Sequence, residues 1–396
     1  MTPSVRHRYD VIVVGGGPAG VMAAKICAEG GFSVLLLEKD REIGLPVRCG
    51  ELVGSRGFRL AIEPHPSWIT HTVKAVTFVS PTGVRITVPS PDEAYMLDRP
   101  RMEQDIAQMA VRSGTHLLTQ ATAVDLLFSD KGRTVSGVRI LHGGRVYEVV
   151  ARLVFATDGV ESRMAKLAGL SSAITNLDDI GICAQYFVSG IDSPDGSAEL
   201  HFGKNIVPDC YAWMFPKKKG TANLGLGIRA SSAGPASPVE LLDRFMKFRF
   251  PKAKIIRRTV GAVPLGLYLP KLTRNGFLTV GDAARMANCL DGGGINYALN
   301  AAKMAGRVAL NALQADDTSV KRLKAYDREW QKSIGKQQIR TYKLKNAVLK
   351  VKDPTIEAAA RVLREKSSSD IGFLDILKLT IKNQPALLLE AIKLFK

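Results

Sequence analysis

The chain has 396 residues, 46% of them hydrophobic, and a formal net charge of +18 from 55 basic and 37 acidic side chains. That length exceeds what one hydrophobic core usually serves, so two domains or one domain with large insertions are expected, and the charge favours an anionic partner. No signal peptide is expected, no apolar run reaches the roughly 18 residues of a spanning helix, and five scattered cysteines suggest neither a zinc site nor a disulfide framework, so a cytoplasmic protein is expected.

Tyr9 to Val14 reads as a short β-branched strand, GGGPAG (Gly15 to Gly20) as a turn, Val21 to Glu29 as a helix and Ser33 to Glu38 as a second buried strand. Gly15, Gly17 and Gly20 satisfy G-x-G-x-x-G between strand and helix, the context in which the pattern binds a dinucleotide. The first glycine permits the tight turn, the second lets backbone approach a pyrophosphate, and the third lets helix pack on strand. The helix N-terminus then faces the anion. Glu38, 18 residues past Gly20, is placed to accept hydrogen bonds from a ribose diol and to repel a 2′-phosphate, which selects FAD or NAD over NADP.

Next, Val73 to Val79 and Val84 to Val88 flank Pro81-Thr82-Gly83 as a hairpin, and Asp98 to Ala110 sets Met102, Ile106 and Met109 on one helical face. Short strands over 117–156 end in Leu153 to Ala156, and Asp158-Gly159 follows as a nucleotide-facing or merely structural turn. Residues 181–272 alternate in the manner of antiparallel sheet. Within them PDCYAWMFP (Pro208 to Pro216) places Tyr211, Trp213 and Phe215 at alternate positions, one face of a strand. That aromatic wall is either sheet core or the lining of a site. A basic turn, Lys217 to Lys219, precedes Asn223 to Ile228, whose alternating Gly225 and Gly227 mark close approach by a ligand or backbone.

Gly276 to Ala283 returns to the style of a buried parallel strand, and ten residues after Asp282 the run Gly292-Gly293-Gly294-Ile295 opens a helix reaching Leu313. An extended dinucleotide needs contacts at both ends, so this late pair selects FAD over NAD. From about 318 the chain is helical and basic, with Pro354 and Pro385 as breaks. Its last segment, Phe373 to Phe395, reads as an interfacial helix pair or as a pair packed on the core. The expected fold is α/β: a discontinuous Rossmann-type FAD-binding domain (1–72, 95–170 and 273–317), an inserted antiparallel-sheet substrate domain (73–94 and 171–272) and a basic helical C-terminal region (318–396).

GGGPAG, EKDREIGLPVRCGE (Glu38 to Glu51), Asp98-Arg99, ATDG (Ala156 to Gly159) and the late GDAA with GGGI together resemble the flavoprotein superfamily of p-hydroxybenzoate hydroxylase. PVRCGE (Pro46 to Glu51) and the aromatic nonapeptide resemble its geranylgeranyl reductase branch, particularly the archaeal digeranylgeranylglycerophospholipid reductases. The resemblance implies FAD contacts from Ala19 in the glycine turn, Glu38 on the adenosine ribose, and Cys49, Gly50 and Leu52 near the flavin. It further implies Arg99 on the phosphate or ribose side, Ala123 by the adenine, Asp282 on the linker, and Gly294 and Ile295 at the ring. Two departures stand out: Leu52-Val53 follows RCGE where relatives often have a small or polar residue, and Asn288-Cys289 replaces a common Asn-Pro.

The implied reaction is FAD-dependent reduction of isolated C=C bonds in geranylgeranyl chains of lipids. Such a bond has no carbonyl to polarise it, so hydride addition needs a proton arriving on the other carbon, with positive charge developing on the more substituted one. Tyr211, Trp213 and Phe215 would hold the chain and stabilise that charge. Cys49 is the first candidate proton donor, because the flanking Arg48 would favour its thiolate, against the packing role usual for cysteine; Tyr211 is another candidate. Implied partners are a prenylated lipid, an electron donor (NAD(P)H, ferredoxin or another carrier) and an anionic membrane surface touching Lys217 to Lys219, Lys252, Lys254, Arg257, Arg258, Lys343, Lys345, Lys350 and Lys352. That places the protein peripheral to the cytoplasmic leaflet. Nucleic acid is not expected, since no recognition motif accompanies the charge. Rival readings are a flavin monooxygenase or halogenase on a hydrophobic substrate, and a prenyl-lipid escort protein without redox chemistry.

Overall fold

A computed structural model describes residues 6–365 except 172–175, 194 and 219. The chain opens with β1 (Arg8–Val14), α1 (Pro18–Glu29) and β2 (Val34–Leu37), and the two strands pair in parallel. Pro18 takes the first helical position, where a missing N–H leaves no bond unmade. Next come β3 (Leu52–Gly54), α2 (Ser55–Ala61) and the long hairpin of β4 (Ile69–Val79) and β5 (Arg85–Leu97), turning through Pro81-Thr82-Gly83. Asp98 caps α3 (Arg99–Arg112) by accepting the Arg101 N–H, and Met102 and Ile106 are fully buried on its inner face.

β6 (His116–Leu118), β7 (Ala121–Ser129), β8 (Thr134–His142), β9 (Arg145–Ala156) and the short α4 (Arg163–Leu167) follow. A run of strands then succeeds them: β10 (Ile180–Ser189), β11 (Ala198–His201), β12 (Ala212–Pro216), β13 (Thr221–Arg229) and, after α5 (Pro238–Arg249), β14 (Lys254–Pro264). The chain returns through β15 (Thr273–Arg274) and β16 (Phe277–Thr279) to α6 (Ile295–Gln314). α7 (Val320–Lys332), α8 (Ile334–Val348) and α9 (Asp353–Arg364) complete the described chain. The apolar segment Phe373 to Phe395 lies outside the described residues.

These strands form two eight-stranded sheets. In the first, β16, β9, β1, β2 and β6 run parallel in that order, and β8 and β7 extend it antiparallel from β9. Helices α1, α3 and α6 cover one face; Gly306 lets α6 close on α1, since a Cβ there would lie 2.8 Å from Ile26. The second sheet has the order β14-β10-β13-β12-β11-β4-β5-β3. It departs from the purely antiparallel expectation at one place, where β11 runs parallel to β4. The two strands are distant in sequence, so no tight turn forces them antiparallel.

β3 falls inside the stretch 1–72 yet pairs with β5 at the edge of this second sheet, and β4 and β5 extend to Ile69 and Leu97. One face of the sheet packs under α5, with Leu242 and Phe245 against Tyr186, Met214 and Leu224. The opposite face carries Trp213 and Phe215 and is turned toward residues 48–51. At its far end α9 covers the hairpin, packing Ala360 and Leu363 on Ile86 and Val88. Among the described residues no helix is long and apolar enough to cross a membrane.

Candidate functional site

β1 delivers Gly15 at φ +104°, a conformation that strains any side chain, and a Cβ there would meet the Thr157 carbonyl oxygen at 2.4 Å. Gly20 is still more confined, with a Cβ position only 1.8 Å from the Gly15 carbonyl oxygen. Around Gly17, by contrast, nothing lies within 4 Å, so the α1 N-terminus opens onto space suited to a pyrophosphate. The Thr157 hydroxyl closes the loop from below, donating to the Val14 carbonyl at 2.7 Å.

Glu38 is fixed at the end of β2 by the N–H groups of Gly16 (2.7 Å) and Asp40 (2.8 Å). The Ala121 N–H donates to the Glu38 carbonyl at 2.9 Å, which brings β7, and on it the buried Ala123, beside this end of the cradle. Ala19 packs against Gly281, one residue before Asp282. Asp282 in turn faces Gly294, where a Cβ would sit 3.2 Å from its Oδ1 and where α6 starts with Ile295. A cradle of confined glycines, an open helix N-terminus, an anchored ribose-side acid and a second glycine-led helix start fits the extended shape of FAD.

Cys49, Arg99, Tyr211 and Asp282 are half-buried, as residues lining a cleft are, and Asp291, whose carbonyl meets the Tyr211 hydroxyl, is exposed. Burial pushes the Asp282 carboxyl above its ordinary value, against the pull of Arg99. Burial also opposes the charge on Arg99, but Glu103, 2.5 Å away, outweighs it and raises the Arg99 pKa above the ordinary arginine value. Asp158 does structural work at its turn, accepting the Met164 N–H at 2.9 Å.

The expectation of a thiolate at Cys49 is overturned. Arg48 points away, reaching Asp40 at 3.8 Å, and the guanidinium beside the sulfur is that of Arg99. Burial pushes the Cys49 thiol up and outweighs both Arg99 and the Glu51 N–H, which donates to Sγ at 3.2 Å. A neutral thiol results.

The three aromatic residues form a continuous wall. Trp213 stacks on Phe215 with centroids 5.9 Å apart and planes at 21°, and Tyr211 meets Trp213 at 5.9 Å. Trp213 and Phe215 are 8% and 9% exposed, and Leu52 joins them in one apolar cluster, which is where the first departure from relatives falls. Tyr211 donates its hydroxyl proton to the Asp291 carbonyl at 2.6 Å and, with burial as the main cause, holds it well beyond the usual range. At the second departure Cys289 is a buried packing residue donating to the Gly266 carbonyl at 3.1 Å, its thiol pushed up to about 12 by burial.

Gly225 and Gly227 make room for neighbouring side chains rather than for a ligand. The Trp213 indole lies 2.3 Å from the Cβ position of Gly225, and the sulfurs of Cys183 and Cys210 occupy the space beside Gly227. Strand register aligns Trp213, Gly225 and Gln185 in one row. The indole N–H donates to Gln185 Oε1 at 3.2 Å, and the Gln185 amide donates to the Cys49 carbonyl at 2.7 Å. Asn223 donates to the Gly50 carbonyl at 3.1 Å and to the Glu51 carboxylate at 2.9 Å. Glu51, 1% exposed and at φ 66°, also accepts from Lys217 at 2.7 Å and from the Arg99 N–H at 3.2 Å.

Gln185, Asn223 and Lys217 were not among the sequence candidates, though a Gln and an Asn inside apolar strand runs are a signal for such partners. Two lysines expected on the surface are engaged inside: Lys217 with Glu51, and Lys345 with Asp179 at 3.0 Å. Lys252, Lys254, Arg257, Arg258, Lys343, Lys350 and Lys352 are exposed.

A family model described as the geranylgeranyl reductase catalytic domain matches residues 179–263, and one described as an FAD binding domain matches residues 8–189. A digeranylgeranylglycerophospholipid reductase of Methanocella arvoryzae is 36% identical over 98% of this chain and 100% of its own. The protein of the same name from Methanothrix thermoacetophila is 37% identical over 97% of this chain and 98% of its own. The crystal structure of a geranylgeranyl bacteriochlorophyll reductase-like protein from Thermoplasma acidophilum matches with a TM-score of 0.89 at 29% identity, covering 98% of this chain and 99% of that one. A flavin-dependent brominase, with a TM-score of 0.69 at 18% identity over 98% of this chain and 99% of its own, shares the fold alone. The α/β architecture and the FAD-binding fold expected from the sequence agree with these relationships, and on full-length identity the chain belongs to the digeranylgeranylglycerophospholipid reductase family of FAD-binding proteins.

Proposed function

We propose that this protein is an FAD-dependent oxidoreductase that reduces isolated C=C bonds in geranylgeranyl chains of glycerophospholipids, as a step in making archaeal-type membrane lipid. The observation that carries this reading is the bonded path from the Trp213 indole through Gln185 to the Cys49 carbonyl, which fixes an aromatic wall against a thiol.

Bound FAD in its reduced form supplies the hydride. The complementary proton comes from the Cys49 thiol, which burial keeps protonated at neutral pH. Arg99, beside the sulfur, stabilises the thiolate left after transfer, and the thiolate regains a proton from solvent through the cleft. The faces of Trp213 and Phe215 attract the positive charge developing on the substrate carbon, and the apolar cluster with Leu52 keeps water from quenching it. Two electrons per bond come from a separate reductant: NAD(P)H, ferredoxin or another carrier.

The protein works peripherally on an anionic leaflet. Supporting this, the edge strand β14 exposes Ile256 and Val260 among Lys254, Arg257 and Arg258, so apolar and cationic side chains share one rim.

The test is direct. Holoprotein reduced with dithionite is given geranylgeranylated glycerophospholipid without oxygen, and mass spectrometry reports a gain of two hydrogens per reduced bond. Unchanged substrate would defeat the reading.

A further inference from the structure

A second concavity lies where β10 and β12 end and β13 begins, with a volume of about 570 Å³ and a lining that includes His71, Asp192, Ser193, Lys217, Lys218 and Thr221. A bond between segments and a tight turn build it: the Gly190 N–H donates across to the Gly220 carbonyl at 2.9 Å, and the Thr221 N–H closes a turn on the Lys218 carbonyl at 2.9 Å. His71 is seated by its Nε2–H on the Gly196 carbonyl, 2.9 Å away.

Three observations point to an anion there. The Ser193 hydroxyl oxygen is buried without a hydrogen-bond partner among the described residues, a costly arrangement unless something outside the chain satisfies it. Lys218 is exposed and makes no ion pair among the described residues, while Lys217 is already balanced by Glu51. The only acidic side chain in the lining among the described residues, Asp192, is itself exposed to solvent.

Position adds a direction. Pro216 in the lining follows Phe215 of the aromatic wall, so the cavity begins where the wall ends. Gly190 abuts the Lys252 carbonyl, which joins the cavity rim to the basic start of β14.

We propose that this cavity binds the phosphate of the lipid headgroup, with Lys218 and the Ser193 hydroxyl as its donors, and that the prenyl chain leaves it along Phe215 and Trp213. The proposal rests on the reductase reading. A phosphate ester takes charge-assisted hydrogen bonds from both groups, and holding it there sets which part of the chain reaches Cys49.

The test compares kcat/KM of dithionite-reduced holoprotein on digeranylgeranylglycerophospholipid and on the same ether lipid after phosphatase treatment. The wild type is expected to prefer the phosphorylated lipid at least tenfold, with the difference in KM. Lys218→Glu and Ser193→Asp are each expected to reduce that preference to within about twofold, with FAD content unchanged. A preference that survives both substitutions overturns the site, as does a wild type indifferent to the phosphate. A wild type that reduces neither lipid defeats the reductase reading instead. Inorganic phosphate separates the two sources of the anion: competition with the phosphorylated lipid supports the headgroup site, whereas inhibition equal for both lipids shows a site for free phosphate and overturns the proposal.

Discussion

The Trp213 indole lies across Gly225 of the neighbouring strand, with Cζ2 2.3 Å from the place a Cβ would occupy. The ring's position is therefore set by a missing side chain. Gly225→Ala is expected to push the indole off Gln185, destabilise the fold by about 1–3 kcal/mol through overpacking, and lower turnover at least tenfold while FAD stays bound. Tryptophan fluorescence, melting temperature and turnover of one preparation check all three effects.

Removing the ring tests the wall itself. Trp213→Ala deletes a largely buried side chain at a cost of about 3–5 kcal/mol, yet the cradle around Gly15, Glu38 and Asp282 is built by other elements. Prenyl reduction is expected to be lost with flavin absorbance retained, and Trp213→Phe to restore part of it. Loss of folding would return the wall to an ordinary sheet core.

Cys49 carries a pH prediction. Its thiol is pushed above its ordinary pKa, so the proton-donating form persists through neutral pH and is lost only as pH rises past the usual thiol range of about 8.5. Turnover is expected to be level from about pH 6 through the usual thiol range of about 8.5 and to decline only above it. Cys49→Ala is expected to lower turnover by about 10²-fold or more, and Cys49→Ser to remove the alkaline decline, which a pH–rate profile of each variant reports.

Glu51 and Lys217 form a charge pair with the carboxylate 1% exposed. Glu51→Gln leaves the ammonium poorly compensated and is expected to cost about 3 kcal/mol in urea unfolding. The double variant Glu51→Gln with Lys217→Met is expected to recover much of that loss, because no unpaired charge remains.

What was readable in the sequence was local or periodic. The glycines at 15, 17 and 20 act within one turn, Asp282 and Gly294 belong to neighbouring segments, and alternation alone puts Tyr211, Trp213 and Phe215 on one face. The partners of residues 49–51 were hidden, because Gln185 and Asn223 reach them across more than 130 residues and only after the register of β10 and β13 is set. The same register decides that Gly225 accommodates a neighbouring ring. Adjacency misled at Arg48: successive residues of an extended turn point to opposite sides, and the first turn of α3 supplies Arg99 to the sulfur instead. Lys217 looked like surface because its acid, Glu51, lies on a distant segment.

The turn that bears the thiol runs straight on into β3, one edge strand of the second sheet, while Gln185 and Asn223 bind its carbonyls to β10 and β13 near the opposite edge. Thiol and wall are thus one anvil, at a constant spacing whatever the rest of the molecule does. On the reductase reading proposed above, a chain with several double bonds would be drawn across that anvil one isoprene unit at a time. The order of saturation would then be set by how far the lipid slides, and a partly saturated product would record where the sliding stopped.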